Sequence, residues 1–422
     1  MTRLYKNGKV ILEDKILETG AVLVEDGYIK EIIAGPGACA GSDILRSGGA
    51  GSEKFYAENS TSGGSGNSAS AASGACRRVD EVVDAKGMYI SPGFIDTHIH
   101  GGGGWDVMDG DPDGLAEIAR IHKAHGCTAF LPTTLTASKD RIQAAIRNVY
   151  RLMNGDGAYG GARILGVHLE GPCFSYKFKG AQNPKYLALP SVGLFEELDQ
   201  GLNVIRRISM APELEGAFQA ARHYADRGVN ISVAHSDADF ACARASAAHG
   251  FSHITHMFNG MSFLRSPDYY CRTGVAEAGL LLDAFTAEVI ADGKHMPVEI
   301  LQLLYKCKGP DKMLLTTDAT RPTNMPEGNY ELMGLDVIVT DGVAMLADRT
   351  SFAGSVATCD RLVRFAYKEC GFRLHEAVKM AGLNHARLIG ADDETGSLKP
   401  GKRGDIIIFD DNVNVQYSCV AQ

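Results

Sequence analysis

A single tryptophan serves 422 residues, and positive charge is short, with 42 Lys and Arg against 51 Asp and Glu and a formal net charge of −9. A chain so balanced lacks the dense cationic surface that a phosphate backbone rewards, which argues against nucleic acid as the main partner. A small phosphorylated ligand is not excluded, because a few placed cations suffice for it. Long apolar runs are missing as well. No uninterrupted stretch approaches the ~20 residues needed to cross a bilayer, and the opening MTRLYKNGKV carries no apolar signal core. A soluble, cytoplasmic protein with no membrane partner is expected. The ten cysteines fall at 39, 76, 127, 173, 242, 271, 307, 359, 370 and 419, with no CxxC pair. They read as reduced, mostly buried small residues, and zinc-ribbon chemistry is not expected.

The residues that are abundant suffice for a large core, since 45% are hydrophobic. Length alone suggests two or three domains, a soft prior because α/β barrels run long as single units. From Leu4 to Ile33 short β-branched runs alternate with turns, and Lys6–Lys9 (KNGK) and Glu25–Tyr28 (EDGY) each carry a hairpin cue. Gly37–Arg78 is dominated by Gly, Ser and Ala and cannot offset its ordering entropy, so a mobile insertion is expected there. From Tyr89 short apolar runs alternate with helical periodicity. The candidate strands are Tyr89–Ile95, Thr128–Pro132, Ile164–Leu169, Val204–Ser209, Asn230–Ala234, His253–His256, Ala287–Ala291 and Met313–Thr317. Leu115–His125 and Phe218–Arg227 read as amphipathic helices between them. Eight such units predict a (β/α)8 TIM barrel over residues 89–390. Strand-like sequence returns in Gly396–Asp410. A small β-sandwich domain built from both chain ends, residues 1–88 and 391–422, is therefore expected.

Catalytic groups of such barrels sit at the C-terminal ends of strands, and ligand-type residues recur there. His98 and His100 are two apart, so in a strand they point to one side. Four glycines, Gly101–Gly104, follow them. Glu170 ends the third run in HLEGP, where a carboxylate is costly to bury unless it is paired or bound to a metal. His168, two before it, suits a hydrogen-bonding support of the ligands better than a ligand. His235 in VAHSDA and His256 in HITHMFN end the fifth and sixth runs, and Asp318 in LLTTDAT ends the eighth. His249, on a helix, and His253, earlier in its strand, read as core residues. Each of these alone has an ordinary structural explanation. Recurring at the ends of strands 1, 3, 5, 6 and 8, they compose a His, Glu and Asp set suited to Zn²⁺ or Fe²⁺ without thiolates.

This set resembles the amidohydrolase superfamily and, more narrowly, the N-acetylglucosamine-6-phosphate deacetylases. The matching segments are PGFIDTHIHGGGG, GVHLEGP, KGAQNP, VAHSDA, ITHMFNGM, ADGKHMP, LLTTDAT and FAGS, spanning Pro92 to Ser355. The resemblance implies that Glu170, His235 and His256 hold one divalent metal. It also makes a second plausible at His98 and His100, with Glu170 bridging and Asp318 nearby, Zn or Fe being expected. Water activated there would attack an acetamide, with Asp318 as base and then acid. Where many relatives carry a histidine that hydrogen-bonds the scissile carbonyl, this chain has Gln182. The substrate phosphate is expected near Asn259, Gly260, His295 and an arginine that relatives take from a partner subunit, implying a homodimer. The segment SFLRSPDYYCRTG is longer than the usual one and lacks its HREPG form. Arg272 fits the place best, and Arg265 competes. No residue reads the C4 hydroxyl, so the galactosamine epimer remains an alternative substrate. A cyclic amidase or aminoacylase is a more distant one, against which Glu170 weighs, since such enzymes commonly bridge with a carboxylated lysine.

Overall fold

The computed structural model describes residues 1–35, 54–57, 76–155, 159–266 and 269–421. Eight short strands carry the architecture: β1 (Phe94–Ile99), β2 (Cys127–Pro132), β3 (Val167–Glu170), β4 (Ile205–Met210), β5 (Asn230–Val233), β6 (Phe251–Ile254), β7 (Thr286–Val289) and β8 (Met313–Leu315). β3 to β8 pair in sequence order as one six-stranded parallel sheet, and β1 pairs with β2, likewise parallel. Bridges Thr133–His168 and Ile99–Ala319 join the two sheets at both seams. The domain is therefore a TIM-barrel-like α/β fold. Because helices cover the outside and side chains fill the inside, these strands read as nearly unbroken apolar runs.

The intervening helices start where the sequence supplies caps. Helix Pro112–Ala124, expected as Leu115–His125, begins on Asp111, whose carboxylate accepts from the N–H groups of Asp113 and Gly114. Its proline sits in the first turn, where no N–H is required. Helix Ala217–Ala225, expected as Phe218–Arg227, turns Ala217, Ala220, Ala221 and Tyr224 inward. Among the described residues, no helix is long and apolar enough to cross a membrane.

Both chain ends meet in one seven-stranded mixed sheet. Thr2–Ile11 lies at its centre, next to Ile16–Glu25 and the parallel strands Glu81–Asp84 and Tyr89–Pro92; Ile406–Phe409 joins beyond Tyr89–Pro92. The hairpin at Glu25–Tyr28 forms as expected, with Asp26 and Gly27 both at positive φ. The hairpin expected at Lys6–Lys9 does not. That segment is an irregularity inside Thr2–Ile11, where the strand changes parallel partner from Glu81–Asp84 to Tyr89–Pro92. The run expected as strand Tyr89–Ile95 is also divided. Tyr89–Pro92 belongs to the terminal sheet, and β1 begins after Gly93, which lies so close to Thr128 that a Cβ there would sit 2.1 Å from its hydroxyl. Ile164–Leu169 is likewise split, into Arg163–Ile164 on β2 and β3 itself. Most of the expected insertion, Gly37–Arg78, lies outside the described residues; within it Lys54–Ala57 pairs antiparallel with Cys76–Val79. His249 is not on a helix. It follows Phe240–Ala247, half-exposed, and stacks on Phe218 at 4.2 Å, because its helix ends two residues earlier.

Four buried histidines are held by hydrogen bonds within the barrel domain. Burial lowers the pKa of His122, His168, His253 and His385, that of His253 to about 4. A histidine whose folded pKa lies below its unfolded one binds more protons unfolded, so its contribution is present above the unfolded value and lost as pH falls. The metal-free protein is accordingly expected to lose stability steadily from about pH 6.5 towards pH 4. Denaturant midpoints measured across that window check it; a flat profile would contradict it.

Candidate metal centre and active site

Six ligand-type side chains come from five strand ends to one place. His98 is in β1, with His100 just after it, and Glu170 closes β3. His235, His256 and Asp318 each follow their strand by two or three residues. All six are at most 8% exposed. His235, His256 and Asp318 take positive φ values of 45°, 27° and 48°, so backbone strain gathers where the chain leaves the barrel to present them. Asp96 ties the first and last strands together beneath them. Its Oδ1 accepts from the His98 N–H at 2.9 Å and its Oδ2 from the Thr317 N–H at 2.8 Å.

The four imidazole Nε2 atoms and two carboxylates converge. His98 and His100 Nε2 are 3.2 Å apart, as are those of His235 and His256. Glu170 stands between the pairs. Its Oε1 lies 3.5, 3.4 and 3.2 Å from His98, His235 and His256, and its Oε2 3.4 Å from His100. Asp318 Oδ1 is 3.2 Å from His100 Nε2 and 3.4 Å from that of His98. Two three-residue groups result, His98, His100 and Glu170, and Glu170, His235 and His256. Ligand atoms held at about 2.0–2.1 Å on one zinc-sized ion lie roughly 3.3 Å apart, which is the spacing found here. Tautomers fit as well. Nδ1 lies 2.7 Å from Glu288 Oε1 in His98, 3.2 Å from the Thr133 carbonyl in His100 and 2.8 Å from the Phe178 carbonyl in His235. An Nδ1–H donated outwards leaves Nε2 as a lone-pair donor towards the centre. The set therefore suits a divalent cation.

The electrostatics agree. Burial works against charge on His98, yet Asp318, Glu288 and Glu170 prevail and hold its pKa well above the usual histidine value. Against the same burial, hydrogen bonds to Asp318 and Glu170 raise His100 to about 9. Burial would raise Glu170, but the surrounding histidines keep it well below the carboxylate range, and Asp318 is lowered in the same way. A cluster that draws protons so strongly also draws a divalent cation, which displaces them.

The cluster floors a cleft of ≈ 290 Å³, the size of one sugar-like ligand. Gln182, Asn259, Gly260 and His295 line it. The Gln182 carbonyl oxygen accepts from the Thr136 N–H at 2.8 Å, so its amide nitrogen is the atom 2.8 Å from Glu170 Oε2. His295 Nδ1 is 3.0 Å from Asp292, and its Nε2 is buried without a hydrogen-bond partner among the described residues. Among the described residues, no Lys or Arg lines this cleft. Arg272 and Arg265 face each other across a backbone bridge and line a different surface hollow with Glu213, Asp237 and Asp239. The structure thus does not bring either arginine into the cleft of its own chain. Arg265 pairs with Asp237 at 2.7 Å. His168 lies one step behind the cluster, its ring edge-on to His98 at 4.6 Å and its Nδ1 3.3 Å from the Thr133 hydroxyl.

Sequence reasoning missed Glu288 and Arg207. Both are fully buried inside the barrel and paired at 2.6 Å, and Glu288 holds His98. The burial cost that singled out Glu170 applies to them equally, since both lie in expected strands. Phe352, which packs on His295 at 4.3 Å in the cleft wall, had no comparable signal.

A barrel of this kind with such a strand-end cluster defines a class, and the chain belongs to it: the amidohydrolase family, whose sequence model matches residues 89–421. Within that family its relatives include amino-sugar phosphate deacetylases. It is 37% identical over 340 residues to N-acetylgalactosamine-6-phosphate deacetylase of Escherichia coli O157:H7, covering 79% of this chain and 87% of that protein. It is 35% identical over 335 residues to N-acetylglucosamine-6-phosphate deacetylase of Vibrio furnissii, covering 78% and 81%. The crystal structure of N-acetyl-D-glucosamine-6-phosphate deacetylase from Mycobacterium smegmatis superposes with a TM-score of 0.81 at 27% identity, covering 100% of this chain and 98% of that one.

Proposed function

We propose that this protein hydrolyses the acetamide of N-acetylglucosamine 6-phosphate to glucosamine 6-phosphate and acetate. The observation that carries the reading is Asp318 standing against the His98, His100, Glu170, His235 and His256 cluster at the floor of a cleft sized for one sugar. Glu170, His235 and His256 would hold one divalent ion, zinc or iron. His98 and His100, with Glu170 shared and Asp318 adjacent, would hold a second. Bound there, such an ion would supply acidification of water and polarisation of the amide carbonyl. Asp318 takes a proton from the attacking water as the new C–O bond forms, then returns it to nitrogen as the carbonyl re-forms and the C–N bond breaks, so that the amine leaves neutral. Gln182 has one amide hydrogen committed to Glu170, and the other is available to the carbonyl oxygen as negative charge develops on it.

Asn259, Gly260 and His295 would receive the phosphate. Among the described residues the cleft holds no Lys or Arg for a dianion, which supports a homodimer in which Arg272 reaches the partner's cleft. The same segment exposes Phe263, Leu264, Tyr269 and Tyr270, as an interface would. The domain reading, residues 1–88 with 391–422 as a β-sandwich beside barrel residues 89–390, draws support from contacts between the two chain ends. Tyr28 bridges to Arg403, and Tyr5 packs edge-on against Tyr417 at 5.9 Å. Eight described cysteines are unpaired, which suits the reducing cytoplasm.

The galactosamine epimer is the second reading, favoured by the E. coli relative. Acetate release from both N-acetylated hexosamine 6-phosphates and their unphosphorylated forms decides between them. The expected result is turnover of the glucosamine phosphate well above the other three; no acetate from any would refute the enzyme reading. Arg272→Ala is expected to raise KM by about 10-fold or more for phosphorylated substrate with kcat little changed. An unchanged KM would transfer the role to Arg265.

A further inference from the structure

Glu288 does more than fill the barrel. Its Oε1 lies 2.7 Å from His98 Nδ1 and accepts the backbone N–H of His256 at 3.1 Å. One oxygen atom thus touches a residue of each ligand group. Its Oε2 is 2.6 Å from Arg207 Nη1, and all three side chains are essentially without exposure. Arg207 is itself fixed on two sides, through Nε to Ser232 Oγ and through Nη2 to Thr255 Oγ1, both at 3.0 Å. A buried ion pair adds little net stability compared with apolar residues of similar volume. What it contributes is location: a charged acceptor that cannot rotate.

We propose that Glu288, clamped by Arg207, is the positioning residue that makes the His98/His100 position competent to bind a divalent ion. Accepting the His98 Nδ1–H is what leaves Nε2 free to ligate. The Glu170, His235 and His256 position depends on Glu288 only through a main-chain hydrogen bond. Loss of the carboxylate therefore falls on one position selectively. The inference rests on the two-position reading above.

Removing one charge alone would strand the other, so the pair is replaced together. R207M/E288M removes the acceptor, and R207M/E288Q removes the charges but keeps an oxygen for His98. Metal-free protein is titrated with Co²⁺ and followed by calorimetry and visible absorbance, with circular dichroism reporting the fold. The unmodified enzyme is expected to take two equivalents per chain. R207M/E288M keeps the first and weakens the second about 10- to 100-fold, the usual cost of losing a partner behind a ligand. R207M/E288Q restores most of that loss. R207M/E288L is a second acceptor-free pair should the first not fold. Two undisturbed equivalents in the acceptor-free pair overturn the proposal, as does equal weakening of both or a Gln variant no better than Met. An unmodified enzyme that takes one equivalent only overturns the two-position reading, and this inference with it.

Discussion

Asp318→Asn is expected to lower turnover by about 10²–10⁴-fold while the chain keeps its divalent ions. The side chain is nearly buried, and its Oδ1 lies within 3.4 Å of both His98 and His100 Nε2. Neighbouring histidines overcome the effect of burial and hold it ionised, ready to accept a proton. An amide of the same shape can neither accept a water proton nor return one to nitrogen, whereas the proposed ligands Glu170, His235 and His256 are unchanged. Because the lost interaction is made only while the bond is breaking, kcat and kcat/KM should fall together. The geometry around Asp318 is built to hold it: the Ser355 N–H donates to its carbonyl at 2.8 Å, and a Cβ at Gly354 would approach that oxygen to 2.7 Å. Metal analysis beside an acetate assay checks the expectation. Turnover within about threefold of the unmodified enzyme would remove Asp318 from proton transfer. Loss of the ions would assign it to binding instead.

Glu170→Gln should be more damaging still. Glu170 belongs to both candidate ligand groups and, among the described residues, is the one carboxylate within 3.5 Å of all four imidazoles. Its removal withdraws the negative charge that offsets protonated His98 and His100 in the metal-free state, at a cost of about 3–5 kcal/mol if the ring charges stay buried and uncompensated. Both ions are expected to be lost together, with no measurable acetate release and a lower melting temperature. A variant that retains one full equivalent would show that the two positions do not share Glu170.

Much of the site was legible because its signals are local. A period-two strand places His98 and His100 on one side, and an apolar run ending in Glu, His or Asp marks a strand end where burial must be compensated. Asp26-Gly27 needs only its own φ angles to make a hairpin. Where the signal depends on a partner, reading stopped. Tyr89–Ile95 reads as one strand, yet it serves two sheets because Gly93 must pass close to Thr128. Lys6–Lys9 has the composition of a turn, but strand partners on both sides absorb it as an irregularity with Asn7 at positive φ.

The metal-ligand set illustrates the division most clearly. The chain by itself determined which residue types stand at which strand ends, since hydrophobic periodicity and the cost of burying charge are written in consecutive residues. Only the tertiary structure decided that the four Nε2 atoms face one carboxylate, that Glu288 orients His98 from 190 residues away, and that both arginines lie outside the cleft of their own chain. Those facts follow from barrel closure, which brings distant strand ends within hydrogen-bond reach and leaves no trace in local sequence.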